Sequence, residues 1–348
     1  MQKILAHASK LILVVLTTVS LFSCSKEEDL SNLDDTLFVR HKNADMPAYI
    51  MGNATEKVFL ITLHGGPGDL GLGFRGTAFS EIERHYAVVY FDQRGSGMSQ
   101  GSYSENELSL DIMAEDVLAL VTVMKRKYGY DSRFFLLGHS WGGTLGTATL
   151  LKDQSDFKGW IEIDGANSPA RLYDQYIETF TTTANTQIAL GNSVDFWESV
   201  LDFVSEIDPV SNKDGFLELN NKAFDLEKRL EEDGFLNSPE EGDNIIYNYN
   251  ILTAIWNSGQ IAYILVDEQC IFQTTDFSGR LSEITIPSLF ISGEYDMIVP
   301  KISAEIAFEN IGSDIKELII YERSGHAPLA SEPQRFAEDV LRFMDRNK

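Results

Sequence analysis

Apolar positions along the 348-residue chain fall into two alternating kinds of run. Val58 to Leu63, Ala87 to Phe91, Phe134 to Leu137, Trp160 to Ile163, Ser288 to Ser292 and Glu317 to Tyr321 are short and β-rich. Several are continuously apolar, as a strand buried on both faces must be. Thr36 to His41 and Ala48 to Met51 add a candidate antiparallel start. Between these runs the apolar spacing changes to three and four. Leu108 to Tyr128 carries Leu110, Met113, Val117, Leu120, Val121 and Met124 on one face and stops at Gly129. Pro333 to Met344 opens with proline in its first turn and turns Phe336, Val340, Leu341 and Met344 to one side. Strands alternating with helices predict an α/β chain, with a mostly parallel sheet covered on both faces.

The alternation breaks from about Asn167 to Thr285, where acidic, aromatic, helical segments take over and no strand stands out. This reads as a helical cap (167–285) inserted between two parts of one core, 36–166 and 286–348. It holds 21 Asp and Glu against 6 Lys and Arg, so −15 of the chain's −25 is local to it. An acidic chain has no basic patch with which to displace counterions from a polyanion, and nucleic acid is not an expected partner.

The first 23 residues read as an export signal. Lys3 and Lys10 precede an apolar run, Leu11 to Phe22, shorter than the roughly 20 residues a membrane span needs. The run ends in Leu21-Phe22-Ser23-Cys24, which resembles the lipobox of bacterial lipoproteins, with Cys24 as the lipidated residue. Residues 24–35, including Lys26-Glu27-Glu28-Asp29, read as a tether. The expectation is an exported protein held to the bacterial membrane, on its periplasmic face or at the cell surface, through the N-terminal lipid only. Cys270 is then left without an intrachain partner, and stability rests on the core.

The chemistry begins at Gly138-His139-Ser140-Trp141-Gly142, a G-x-S-x-G run between an apolar strand and a small-residue helix. That context is the nucleophile elbow of the α/β-hydrolase fold, and Ser140 is the expected nucleophile. A serine hydroxyl needs a base, and the base needs a group to fix its tautomer. In this fold both follow the serine. His326 is the single histidine after Ser140. Asp296, in Gly293-Glu294-Tyr295-Asp296-Met297-Ile298-Val299-Pro300, is preferred as the acid over nearby Glu294, with Asp164 as the alternative. For the oxyanion, Trp141 N–H at the helix start is one donor. The other comes from His64-Gly65-Gly66-Pro67-Gly68, where Pro67 has no N–H and Gly66 is preferred to Gly65. His64 is expected to hold the loop rather than act as the base.

Three runs together, His64-Gly65-Gly66-Pro67-Gly68, Asp92-Gln93-Arg94-Gly95-Ser96-Gly97 and His139-Ser140-Trp141-Gly142-Gly143, resemble the prolyl aminopeptidase (proline iminopeptidase) family of α/β-hydrolases. The resemblance covers about Ala48 to Gly165 and resumes from Ile286. It implies a short-peptide or other small-molecule substrate, and that Asp92 and Arg94 brace the loops around the site, as an ion pair or through substrate. It also implies cap glutamates that hold the substrate's free α-amino group, one directly after a tryptophan. Here the corresponding run is Ala254-Ile255-Trp256-Asn257, with an amide in place of the acid. Trp197-Glu198, Glu178 and Asp202 are other acidic candidates. An ester or lactone hydrolase with the same triad is the alternative, and a non-catalytic binding protein on this scaffold a third reading. No H-E-x-x-H and no P-loop calls for a metal or nucleotide, so no cofactor is expected.

Overall fold

The structure is a computed structural model that describes residues 29–348, apart from 102, 105–106, 209–211, 241, 244 and 246–247. The export signal and Cys24 lie outside the described residues. Among those described, nine strands form one sheet: β1 (Leu33–His41), β2 (Ala44–Gly52), β3 (Val58–Leu63), β4 (Ala87–Phe91), β5 (Gln100–Gly101), β6 (Arg133–His139), β7 (Phe157–Ile163), β8 (Ser288–Gly293) and β9 (Lys316–Tyr321). Their order is β1-β2-β4-β3-β6-β7-β8-β9, with β5 paired to β2. β1 and β2 run antiparallel, and every pair from β4 through β9 is parallel. β1 starts at Leu33, so Leu33 to Asp35 pair with Gly52 to Ile50 and are strand rather than tether. Their ladder hydrogen bonds outweigh a composition that, with two aspartates, reads as loop.

Every residue of β3, β4 and β8 is buried. That burial is why these runs are apolar throughout, each large side chain contributing about 1.5–3 kcal/mol. On one sheet face Phe79 of α1 (Thr77–His85) meets Phe336 of the last helix (Pro333–Asn347), with ring centroids 6.0 Å apart. On the other, Phe59 packs on Tyr128 of α2 (Leu110–Tyr128) at 5.0 Å. The parallel register aligns the strand ends: Leu63 opposes Phe91 and Gly138, His139 opposes Ile163, and Gly293 opposes Tyr321. The loops carrying His64, Asp92, Ser140, Asp164, Asp296 and His326 therefore leave one edge of the sheet, where α/β sheets place their ligands.

Between β7 and β8 the described residues form helices, chief among them α4 (Leu172–Leu190), α5 (Val194–Glu206), α6 (Lys213–Glu232) and α7 (Ile251–Ala262). Tyr173, Tyr176, Phe180, Trp197, Phe216, Leu219 and Leu226 form their core, and Met297, Ile298 and Val299 belong to the same cluster. The loop that carries Asp296 is thus packed into the helical insert as well as joined to β8. Among the described residues no helix is long and apolar enough to cross a membrane.

Candidate active site

Ser140 sits at the sharp turn between β6 and α3 (Trp141–Lys152), with φ 56° and ψ −119°, a region that costs a non-glycine residue on the order of 1–3 kcal/mol. The turn closes only because Gly138 and Gly142 flank it. A Cβ on Gly138 would lie 2.3 Å from Gly142 O, and one on Gly142 would lie 2.0 Å from Leu63 O. The strain lifts the hydroxyl clear of the strand and leaves Trp141 as the first helical residue, its N–H without an intrahelical acceptor.

His326 follows β9 and lies against this turn. His139 Nε2–H donates to the His326 carbonyl at 2.7 Å, and the two rings are 4.8 Å apart. Burial, and then the charge His326 carries when protonated, push His139 down to about 3, so it stays neutral. On the far side of the imidazole, His326 Nδ1–H donates to Asp296 Oδ2 at 2.9 Å. Asp296 Oδ1 accepts from Ile298 N–H and Val299 N–H, both at 2.8 Å. Glu294 turns away and pairs with Lys301.

Asp164, at φ 44° after β7, belongs to the same cluster. Its Oδ1 accepts from Gly293 N–H at 2.9 Å, while its buried Oδ2 has no donor. Asp164 and Asp296 are close enough for the charge of one to act on the other, which disfavours ionising both. Burial pushes both upward, and the Asp296 charge drives Asp164 further. Asp296 has three donors and Asp164 one, so the proton rests on Asp164 and Asp296 stays ionised. One ligand atom each of His139, Asp164 and His326 lie within 4.8 Å of one another. His139 Nε2 and His326 Nδ1 are taken by hydrogen bonds to a carbonyl and a carboxylate, which leaves His139 Nδ1 and His326 Nε2 as the ring nitrogens open to a cation.

The glycine-rich loop after β3 passes directly over Ser140. A Cβ on Gly65 would sit 3.3 Å from Ser140 Cβ, 3.5 Å from His139 Nδ1 and 3.1 Å from Asp69 Oδ2. Gly66 follows at φ 107°, exposed in the turn. His64 is buried and braces the loop, its Nδ1–H donating to Gly65 O at 2.9 Å and its Nε2 accepting from Gln93 N–H at 3.3 Å. Burial lowers its pKa, consistent with a neutral ring. Gln93 completes the brace: its amide donates to His64 O at 2.9 Å, and its Oε1 accepts from the Trp141 indole at 3.1 Å. Gln93 thereby ties the two expected oxyanion loops together. Its place inside the Asp92 to Gly97 run was the available signal, but nothing in the spacing marks it above its neighbours.

Asp92 and Arg94 are buried and not paired with each other, which corrects the ion pair considered from sequence. Asp92 accepts from Gly71 N–H and Met98 N–H, each at 2.8 Å, and from the Tyr249 hydroxyl at 2.9 Å. Arg94 instead forms a bidentate pair with Asp116 of α2, at 2.7 and 2.6 Å, and donates to the His41 and Lys42 carbonyls. A planar guanidinium matches a carboxylate edge to edge, and α2 offers one where the next residue but one on a tight loop cannot.

Among the acids of the insert, Glu198, Glu178 and Asp202 are exposed, and Trp197 beside Glu198 is core. Asn257 spends its amide on the Gly97 and Ser99 carbonyls, at 3.0 and 2.9 Å, while Trp256 is 67% exposed. Two acids that no motif singled out lie nearer. Glu227 of α6 accepts from the His326 backbone N–H at 2.9 Å. Asp69 is exposed beside Gly65, and among the described residues no hydrogen bond or ion pair occupies its carboxylate.

Comparison with known proteins agrees with this architecture. Residues 58–233, just over half of the chain, match the family described as the alpha/beta hydrolase fold. A probable aminopeptidase of Bacillus subtilis is 22% identical, over 86% of this chain and 93% of its own length. A proline iminopeptidase of Thermoplasma volcanium is 26% identical, over 84% and 90%. Among solved structures, a proline iminopeptidase-related protein from Thermus thermophilus superposes with a TM-score of 0.61 at 20% identity, over 90% of this chain and 98% of the other. An esterase from Exiguobacterium antarcticum does so at 0.55 and 19%, over 89% and 100%, a likeness of fold alone. The chain belongs to the α/β-hydrolase fold family.

Proposed function

We propose that this α/β hydrolase is a serine hydrolase of aminopeptidase type, releasing N-terminal residues from short peptides through an acyl-enzyme. The observation that carries the reading is the His326–Asp296 hydrogen bond of 2.9 Å, held against the strained turn that bears Ser140. In this reading Ser140 Oγ bonds to the substrate carbonyl carbon as its proton passes to His326 Nε2. Trp141 N–H and Gly66 N–H receive the oxyanion, each donor worth on the order of 10²-fold in rate. The leaving amine takes the proton from His326, and water repeats the sequence on the ester. Asp296 holds the tautomer and stabilises the imidazolium without taking the proton.

Two things favour an amine-bearing substrate: the names of the relatives, and the unoccupied carboxylate of Asp69 next to the nucleophile. Asn257 favours the second reading, an ester or lactone hydrolase, because an amide engaged with Gly97 and Ser99 cannot neutralise an ammonium group. The test of the catalytic assignment is labelling with a fluorophosphonate. Wild type takes up the probe and turns over substrate, and Ser140→Ala does neither; a labelled Ser140→Ala protein would move the nucleophile elsewhere.

A further inference from the structure

We propose that Glu227 is a positioning residue, through which the helical insert sets the His326 and Asp296 loops in register with Ser140; this rests on the serine-hydrolase reading above. Glu227 projects from α6, a helix whose Leu219, Ala223, Leu226 and Leu230 are buried in the insert's own core. Its two carboxylate oxygens reach two different catalytic loops: Oε1 accepts from His326 N–H at 2.9 Å, and Oε2 from Met297 N–H at 3.4 Å. No single residue of the sheet is bonded in this way to the residue after the acid and to the base itself among the described contacts. The loop is shaped for the carboxylate, since a Cβ on Gly325 would fall 2.2 Å from Glu227 Oε1. The same helical layer grips the acid loop again, where the Tyr176 hydroxyl of α4 donates to Ile298 O at 2.7 Å. Met297, Ile298 and Val299 are packed into that layer. A shift of α6 is therefore transmitted to the imidazole through one side chain.

The experiment compares Glu227→Ala, Glu227→Gln and wild type for fluorophosphonate labelling and for kcat and KM on an acyl chromogenic substrate, with thermal melts alongside. Glu227→Ala should lose roughly 10- to 100-fold in labelling rate and kcat, the effect of a small misplacement of the base, with KM nearly unchanged. Glu227→Gln keeps an acceptor for His326 N–H and should recover most of that rate. It also removes an ionisable carboxyl from a cluster whose other titratable members are His326, Asp296, Asp164, His139 and Glu231, so the acid limb of its pH–rate profile should move to lower pH. If Glu227→Ala fails to fold, Gly325→Ala crowds the carboxylate off His326 and should give the same kcat defect. Wild-type rates in Glu227→Ala, or a loss in KM with kcat retained, overturn the positioning role while the hydrolase reading stands. Failure of the wild type to be labelled, or labelling of Ser140→Ala, overturns the hydrolase reading instead.

Discussion

The carboxyl groups of Asp164 and Asp296 stand together beneath His326, and it is Asp296 that receives the Nδ1 proton, at 2.9 Å. Asp164 accepts from the backbone of Gly293, and its second oxygen is buried without a hydrogen-bond partner. The sequence prefers Asp296, in the G-x-x-D-x-x-V-P run after its strand, and keeps Asp164, after another parallel strand, as the alternative acid. Donor count separates them: three hydrogen bonds hold Asp296 ionised, and Asp164 carries the proton.

Asp296→Asn should therefore cost about 10³- to 10⁴-fold in kcat/KM, since an amide holds the wrong tautomer of the base. Asp164→Asn should stay within roughly tenfold of wild type, because the amide still accepts from Gly293 N–H and, like the protonated acid, carries no charge beside Asp296. Steady-state kinetics on both variants decides; the opposite ranking would make Asp164 the acid.

A second buried acid predicts how stability depends on pH. Glu162 in β7 is pushed up to about 8, chiefly by burial, although Asn167 donates to it at 3.2 Å. Its folded-state value lies above its unfolded one, so between the ordinary glutamate range and about pH 8 the folded state holds a proton that the unfolded state has released. Its contribution thus weakens as pH rises through that window. Glu162→Gln retains an oxygen for Asn167 and removes the titration. Thermal melts should find the variant gaining on wild type from pH 5 to pH 8, by a few kcal/mol or less. A constant difference across that range would show that Glu162 titrates normally.

How far the sequence carried the fold follows from what each element depends on. β3, β4 and β8 are buried on both sides, and their apolar runs end within a residue of the strands. The start of β1 was hidden, since Leu33-Asp34-Asp35 becomes strand only through pairing with Gly52 to Ile50. The elbow was legible because closure of the turn demands glycine at fixed offsets from Ser140. Gln93, Asp116 and Glu227 were not, for they act across 48, 22 and 99 positions of sequence on Trp141, Arg94 and His326. No local period encodes such contacts; they come from the helices crossing the sheet edge.

Cys24 lies outside the described residues, and its lipidation is tested by expression. If Cys24 carries acyl chains, Cys24→Ser expressed in a Gram-negative host should leave the membrane fraction, since nothing but the lipid holds the chain there. Fractionation with immunoblotting measures it. A Cys24→Ser protein that stays with the membrane and keeps residues 1–23 would point to an uncleaved anchor.

In the aminopeptidase reading, substrate choice turns on Asp69. Its carboxylate and Ser140 flank the same point, 3.1 Å from Asp69 Oδ2 and 3.3 Å from Ser140 Cβ, where Gly65 leaves room. In an N-terminal residue the ammonium group is one carbon from the carbonyl under attack, so an acid that anchors it must lie this close to the serine. Asp164, Asp296 and Glu227 are spent on backbone and imidazole, which leaves Asp69 as the free charge beside Ser140 among the described residues. For the wild type, a free-amine prolyl or alanyl substrate should then exceed its N-acetylated form by about 10²-fold in kcat/KM, equivalent to about 2.7 kcal/mol. Because the insert is strongly acidic, the advantage should shrink as salt is added. Asp69→Asn should collapse the ratio toward unity while leaving hydrolysis of an uncharged acyl ester within severalfold of wild type. A wild-type ratio near one would instead support the esterase reading. A large ratio that survives Asp69→Asn would assign the amine to an acid of the insert instead.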